Sequence, residues 1–111
     1  MRELYLFANK IGEDGAGNIS AIIKSKGKLT CLGLSNNKLG GSGAVEIATS
    51  GLNGKNQMIK LSIENNGIGN PGLQAISNAL RNCTRLQEIY LYNNDIDDDP
   101  IDQFVALLSK Q

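Results

Sequence analysis

Three stretches of this chain carry residue types that do chemistry. Leu32 to Gly43 reads LGLSNNKLGGSG, a lysine beside a glycine-rich run; Asp95 to Pro100 reads DIDDDP; and Cys31 and Cys83 are thiols. A phosphate loop needs Gly-Lys-Ser/Thr at the end of its glycine run, so that backbone N–H groups cradle the phosphate and the lysine reaches it. Lys38 precedes the glycines instead. A calcium loop of the EF-hand kind needs ligands at alternate positions, a central glycine and a glutamate at its twelfth position. DIDDDP has none of that spacing. Its aspartates suit a helix start, where the macrodipole favours negative charge by about 0.3–1 kcal/mol. The thiols have no histidine to activate them, because the chain contains none. That absence also removes histidine acid–base catalysis, Ser-His and Cys-His nucleophile pairs, and most first-row metal sites. Neither an enzyme nor a cofactor is expected.

The glycine-rich stretch is one of four. LYLFANKIGEDG at Leu4, LSIENNGIGNPG at Leu61 and IYLYNNDIDDDP at Ile89 follow the same pattern. The last asparagine of each falls at Asn9, Asn37, Asn66 and Asn94, intervals of 28, 29 and 28 residues. Apolar residues precede it at fixed offsets: Met1, Leu4 and Leu6; Leu29, Leu32 and Leu34; Met58, Leu61 and Ile63; Leu86, Ile89 and Leu91. Ile11, Leu39, Ile68 and Ile96 follow two positions later. The repeats run approximately 1–28, 29–57, 58–85 and 86–111, within one domain.

Each repeat opens with apolar residues at period 2, the mark of a short strand with one buried face. Strands are expected at Glu3–Leu6, Cys31–Leu34, Lys60–Ile63 and Glu88–Leu91. The asparagine sits where the chain turns, and Asn9, Asn37, Asn66 and Asn94 can form a ladder that joins successive turns. The period then becomes helical, as in Gly15, Ile19, Ile22 and Ile23, or Gly72, Ile76, Ala79 and Leu80, or Pro100, Phe104, Leu107 and Leu108. Helices are expected over Asp14–Lys24, Ser42–Leu52, Pro71–Arg81 and Pro100–Ser109, with Asn70 and Asp99 as N-caps before a first-turn proline. One strand and one helix cannot bury their apolar stripes alone, but stacked neighbours can.

A 28/29-residue period with this signature resembles the leucine-rich repeat. The stretch Asn66 to Leu86, N-x-I-G-x-x-G…I-x-x-A-L-x-N-C-T-x-L, is similar to the ribonuclease-inhibitor type. Repeat 4 replaces the Gly-x-x-Gly with Asp97 to Pro100, and repeat 2 has Gly51 and an extra residue between Gly43 and Leu52. The resemblance implies an α/β, right-handed solenoid of four strand–helix repeats, with a parallel sheet on the concave face and helices on the convex face. It also implies a protein or peptide partner and no chemistry of its own. An alternative is a regulatory piece of a larger protein, of the GTPase-activating, immune-receptor sensor or bacterial effector kind.

The remaining composition is permissive. The net charge is zero with scattered lysines, so nothing favours nucleic acid. No apolar run approaches a membrane span. Two cysteines with no export signal suggest the cytoplasm. The sequons at Asn18 and Asn82 matter only in a secreted chain. Neither end shows a polar capping unit, which leads to an expectation of self-association or marginal stability.

The aromatics carry the functional signal. There are five: Tyr5, Phe7, Tyr90, Tyr92 and Phe104. Strand side chains alternate, so the residues between the core positions face the concave side. These are Glu3, Tyr5 and Phe7; Cys31, Gly33 and Ser35; Lys60, Ser62 and Glu64; and Glu88, Tyr90 and Tyr92. Four of the five rings therefore lie on one open face, where large rings usually have a contact to make. The expected partner-binding set is Tyr5, Phe7, Ser35, Lys60, Ser62, Glu64, Glu88, Tyr90 and Tyr92, two aromatic rims about 15 Å apart over a small, polar floor.

Overall fold

The computed structural model describes residues 3–7, 11–97 and 100. Four short strands, β1 (Glu3–Tyr5), β2 (Cys31–Gly33), β3 (Lys60–Ser62) and β4 (Glu88–Tyr90), form one parallel sheet in chain order. Leu4, Leu32, Leu61 and Ile89 are aligned across it. Each strand ends one residue before its expected limit, although ladder-like bonds continue beyond it. Leu6, Leu34 and Ile63 still donate their N–H groups to the carbonyls of Gly33, Ser62 and Tyr90 at 2.8, 2.7 and 3.0 Å.

Among the described residues, three helices cover one face: α1 (Ala16–Ser25), α2 (Gly40–Ile47) and α3 (Gly69–Ala79). The result is an α/β repeat fold. The core lies between the layers, with Leu32, Leu34, Leu61 and Ile63 from the sheet against Ile23, Ile47, Leu73 and Ile76 from the helices, all essentially inaccessible. Ile22 is the exception to the expected helical stripe and is 40% exposed. The inward face of α1 is Ala16, Ile19, Ser20 and Ile23, and a residue one position before Ile23 projects from the flank of that stripe. Close approach of α2 to α3 depends on Gly72, where a Cβ would stand 2.7 Å from the Ile68 Cβ and 3.0 Å from the Ala44 Cβ.

Repeat 2 holds its extra residue in the helix layer. After α2 the chain widens into a π turn at Ala48–Leu52. Gly51 there packs so closely on α1 that a Cβ would meet the Ser20 Cα at 3.2 Å. The expected helix over Ser42–Leu52 is therefore two segments.

The asparagines form the expected ladder at the three described turns, all buried. The Asn66 Nδ2 donates to the Ile63 carbonyl of its own turn and the Leu34 carbonyl of the preceding one, both at 2.9 Å. Its Oδ1 accepts the N–H groups of Asn37 at 2.9 Å and Leu39 at 3.3 Å. Asn94 treats repeat 3 in the same way, bonding Ile63 and accepting from Asn66 and Ile68. The first asparagine of each pair does a different job: Asn36, Asn65 and Asn93 adopt left-handed backbone with φ of 60, 60 and 57°. Asparagine tolerates that region better than most residues. Asn9 lies outside the described residues.

This arrangement corrects the expected N-cap. Helix α3 begins at Gly69, so Asn70 is inside it. The orphan donors at the helix start are met by the next repeat: Ile68 N–H by the Asn94 Oδ1 and Gly69 N–H by the Asn94 carbonyl at 2.8 Å. Asn70 is left free to exchange two hydrogen bonds with Asp97, each 2.9 Å. Asp99 and the helix expected after Pro100 lie outside the described residues, as does Phe104.

Both cysteines are free thiols. Cys83 is a core residue, completely buried, whose Sγ donates to the Met58 carbonyl at 3.1 Å. No helix is long and apolar enough to cross a membrane among the described residues.

Candidate functional site

The face of the sheet away from the helices carries the side chains that alternate with the core residues. Leu32, Leu34, Leu61 and Ile63 turn inward because they are apolar, and their neighbours are thereby committed to the outside. Tyr5, Phe7, Tyr90 and Tyr92 stand here, 43%, 47%, 37% and 60% exposed. These four rings, with Ser35, Lys60, Ser62 and Glu64, line a hollow of about 430 Å³. Eight of the nine residues expected in the site are thus brought together. Glu88 is outside the hollow, behind the rim, where its Oε1 accepts the Tyr90 hydroxyl at 2.7 Å.

The two expected aromatic rims are built differently. Tyr5 and Phe7 stack on each other, with ring centroids 5.5 Å apart and planes at 30°. They lean over Gly33, where a Cβ would meet the Tyr5 Cδ1 at 2.6 Å and the Phe7 Cε1 at 2.7 Å. Glycine at this position lets the pair fold inward. The overhang covers Gly33, which is buried, and the neighbouring Ser35 is 7% exposed. On the opposite side, the Lys60 ammonium lies over the Tyr90 ring, 5.6 Å from its centroid. Tyr92 reaches back toward β3, its hydroxyl 3.5 Å from the Glu64 Oε2. The other Glu64 oxygen accepts the Ser62 hydroxyl at 2.5 Å.

Each rim also repeats a local device. Tyr5 donates its hydroxyl to the Glu3 Oε1 at 2.8 Å, as Tyr90 does to Glu88. A carboxylate that accepts from the phenol and repels the phenolate favours the neutral ring. The Tyr5 phenol is accordingly pushed from its ordinary 10.0 up to about 12, first by the hydrogen bond to Glu3, then by desolvation and by the Glu3 charge. The Tyr90 phenol is raised by the bond to Glu88 and by that carboxylate's charge. Both hydroxyls are donors at neutral pH, as an ordinary phenol is, and they stay protonated to higher pH than an unpaired one.

The face is acidic although the chain is neutral. Among its twelve alternating positions stand Glu3, Glu64 and Glu88 against the single cation Lys60. Lys60 and Glu88 are register partners on adjacent strands. No group of three or more metal-ligating side chains occurs among the described residues. The arrangement is one of rings, carboxylates and hydroxyls.

Residues 28–48 and 55–77 match the family profile described as Leucine Rich repeat. This supports a leucine-rich repeat protein. The matched segments contain β2 and β3, the turns at Asn37 and Asn66, and the parts of α2 and α3 that cover them. Leucine-rich repeats generally mediate protein–protein interaction and are typically binding modules without catalysis. No curated protein matches the chain.

Proposed function

We propose that this chain is a protein-interaction module that holds a peptide segment or loop of its partner in the hollow on the open face of its sheet. One observation carries the reading: the four rings on that face line a single hollow, and none contributes to the buried core. Large rings supply buried area at low conformational cost, and the hydroxyls of Ser35 and Ser62 with the Glu64 charge fix register. The reading includes a right-handed solenoid of four repeats, of the ribonuclease-inhibitor type, working in the cytoplasm as a single domain and without enzymatic activity. The 28/29 repeat lengths and the N-C-T motif at Asn82 support the subtype.

The test compares three variants for partner binding and for folding. Tyr90→Ala and Tyr92→Ala should weaken binding while leaving the circular dichroism spectrum and melting curve unchanged. Lys24→Ala, on the outer helix α1, should change neither. Tyrosine variants that bind as before would refute the assignment of the face, and variants that unfold would show the rings to be packing residues.

A further inference from the structure

The two tyrosines of the β4 rim occupy matching surroundings, but only one holds a cation. Tyr90 has a ring, a carboxylate on its hydroxyl from Glu88, and the Lys60 ammonium over its face. Tyr92 has a ring and the Glu64 carboxylate beside its hydroxyl, and it is the most exposed of the four rings at 60%. Among the described residues, Lys60 is the one cation placed over a ring. Its position over Tyr90 follows from the attraction of a ring quadrupole for a cation, to which nearby carboxylates add.

We propose that the occupant of the hollow is a basic peptide segment whose arginine side chain lies on the Tyr92 ring and pairs with the Glu64 carboxylate. This rests on the reading of the sheet face as the partner-binding surface. Charge selects the class of peptide: the hollow itself sets Glu64 against Lys60, while Glu3 and Glu88 on the same face bring the balance to three carboxylates against one cation, and that cation is already seated on Tyr90. Geometry favours arginine over lysine. A guanidinium is planar, stacks on a ring and donates to a carboxylate through a fork of N–H groups. Glu64 can receive it: one oxygen takes the Ser62 hydroxyl, while the other has only the long 3.5 Å contact to Tyr92. A carboxylate accepts about four hydrogen bonds, so capacity remains.

Lys60 then opposes a basic ligand, because it offsets part of the negative charge on the face. Removing it should therefore strengthen binding of a basic peptide, although Lys60 itself lines the hollow. A contact residue with no such role would weaken binding when removed.

The experiment is selection of a random dodecapeptide display library on the 111-residue chain, followed by fluorescence anisotropy of the enriched peptides against variants. Enrichment of arginine is expected. Glu64→Gln should weaken these peptides by about tenfold, in line with loss of a charge-assisted hydrogen bond. Tyr92→Phe, which keeps the ring, should bind nearly as the parent chain does, and Tyr92→Ala should lose binding. Lys60→Met should tighten it by about threefold. Circular dichroism confirms that each variant is folded. Enriched peptides that are neutral or acidic, yet still need Tyr92, would overturn the basic ligand and leave the binding face standing. Peptides indifferent to both Tyr92→Ala and Glu64→Gln, or no enrichment over a blank support, would overturn both readings.

Discussion

The asparagine turns and the open face of the sheet lie within a few residues of each other, and they spend their polar groups in opposite ways. At the turns, Asn37, Asn66 and Asn94 are at most 3% exposed, with their amides bonded to their own and neighbouring turns. On the face, Tyr92 is 60% exposed and Glu64 has only a long contact on one oxygen. The turns must be nearly identical in every repeat because each completes the one before it. The face has no such duty, and there the repeats differ: Tyr5, Gly33, Ser62 and Tyr90 share one row of the sheet. Strict repetition marks what holds the stack together, and variation marks what it can recognise.

The largest break in this comparison should come from Asn66→Ala. It removes the Oδ1 that accepts the Asn37 and Leu39 N–H groups in a buried turn, and it takes from the Leu34 and Ile63 carbonyls one of two donors, the Asn37 and Asn94 amides remaining. Each unsatisfied group costs about 1–3 kcal/mol, with partial relaxation, so a loss of about 3 kcal/mol is expected. In a domain of this size that corresponds to a fall of roughly 12–24 °C in melting temperature, read by circular dichroism. A smaller fall would mean that water replaces the side chain. Asn66→Asp sharpens the point by keeping the acceptor and removing only the donor, which faces carbonyls.

Tyr92→Ala should show the reverse pattern. Stability should change by less than about 0.5 kcal/mol, as for an exposed residue. Partner binding should weaken by about 2 kcal/mol, the size of an interface hot spot. Paired melting and titration experiments measure the two effects on the same samples.

Most of the framework was legible in the sequence because it is periodic. The spacing of Leu32, Leu34 and Asn37, repeated at Leu61, Ile63 and Asn66, fixes strand, turn and register together. The same alternation assigns Tyr5, Phe7, Tyr90 and Tyr92 to the outer face, where they are found. What was not legible depends on contacts between repeats. Asn70 before Pro71 has the local form of an N-cap, but the helix start is capped by Asn94 from the next turn, a residue 24 positions or more away in the chain. The inward lean of Tyr5 and Phe7 depends on the missing side chain of Gly33 on the adjacent strand.

The lean of the first rim can be tested directly. Gly33→Ala places a methyl group against the Tyr5 and Phe7 rings, and the flexible rings must swing outward. Loss of their stacking should cost about 1 kcal/mol or less, with a clear change in the near-ultraviolet circular dichroism. An unchanged spectrum would mean that the rings already stand upright in solution.

The smallest effect is a titration. In the folded chain the Tyr5 phenol is raised to about 12 from an ordinary 10.0, so its neutral form is favoured by folding. That contribution is fully present below pH 10.0 and fades as pH rises through about 12. Glu3→Gln removes the charge that holds the phenol neutral. Phenolate absorbance should then appear at lower pH than in the parent chain. Glu88→Gln should move Tyr90 in the same direction.

The π turn at Ala48–Leu52 has a consequence for how such an array can change over generations. Strands β1 to β2 and β3 to β4 begin 28 residues apart and β2 to β3 begin 29 apart, yet Leu4, Leu32, Leu61 and Ile89 stay aligned. The surplus residue is taken up as a local bulge of the outer layer and never reaches the inner one. Units of unequal length can thus be exchanged, gained or lost without putting the open face of the sheet out of phase, and selection can rewrite the side chains of that face one unit at a time.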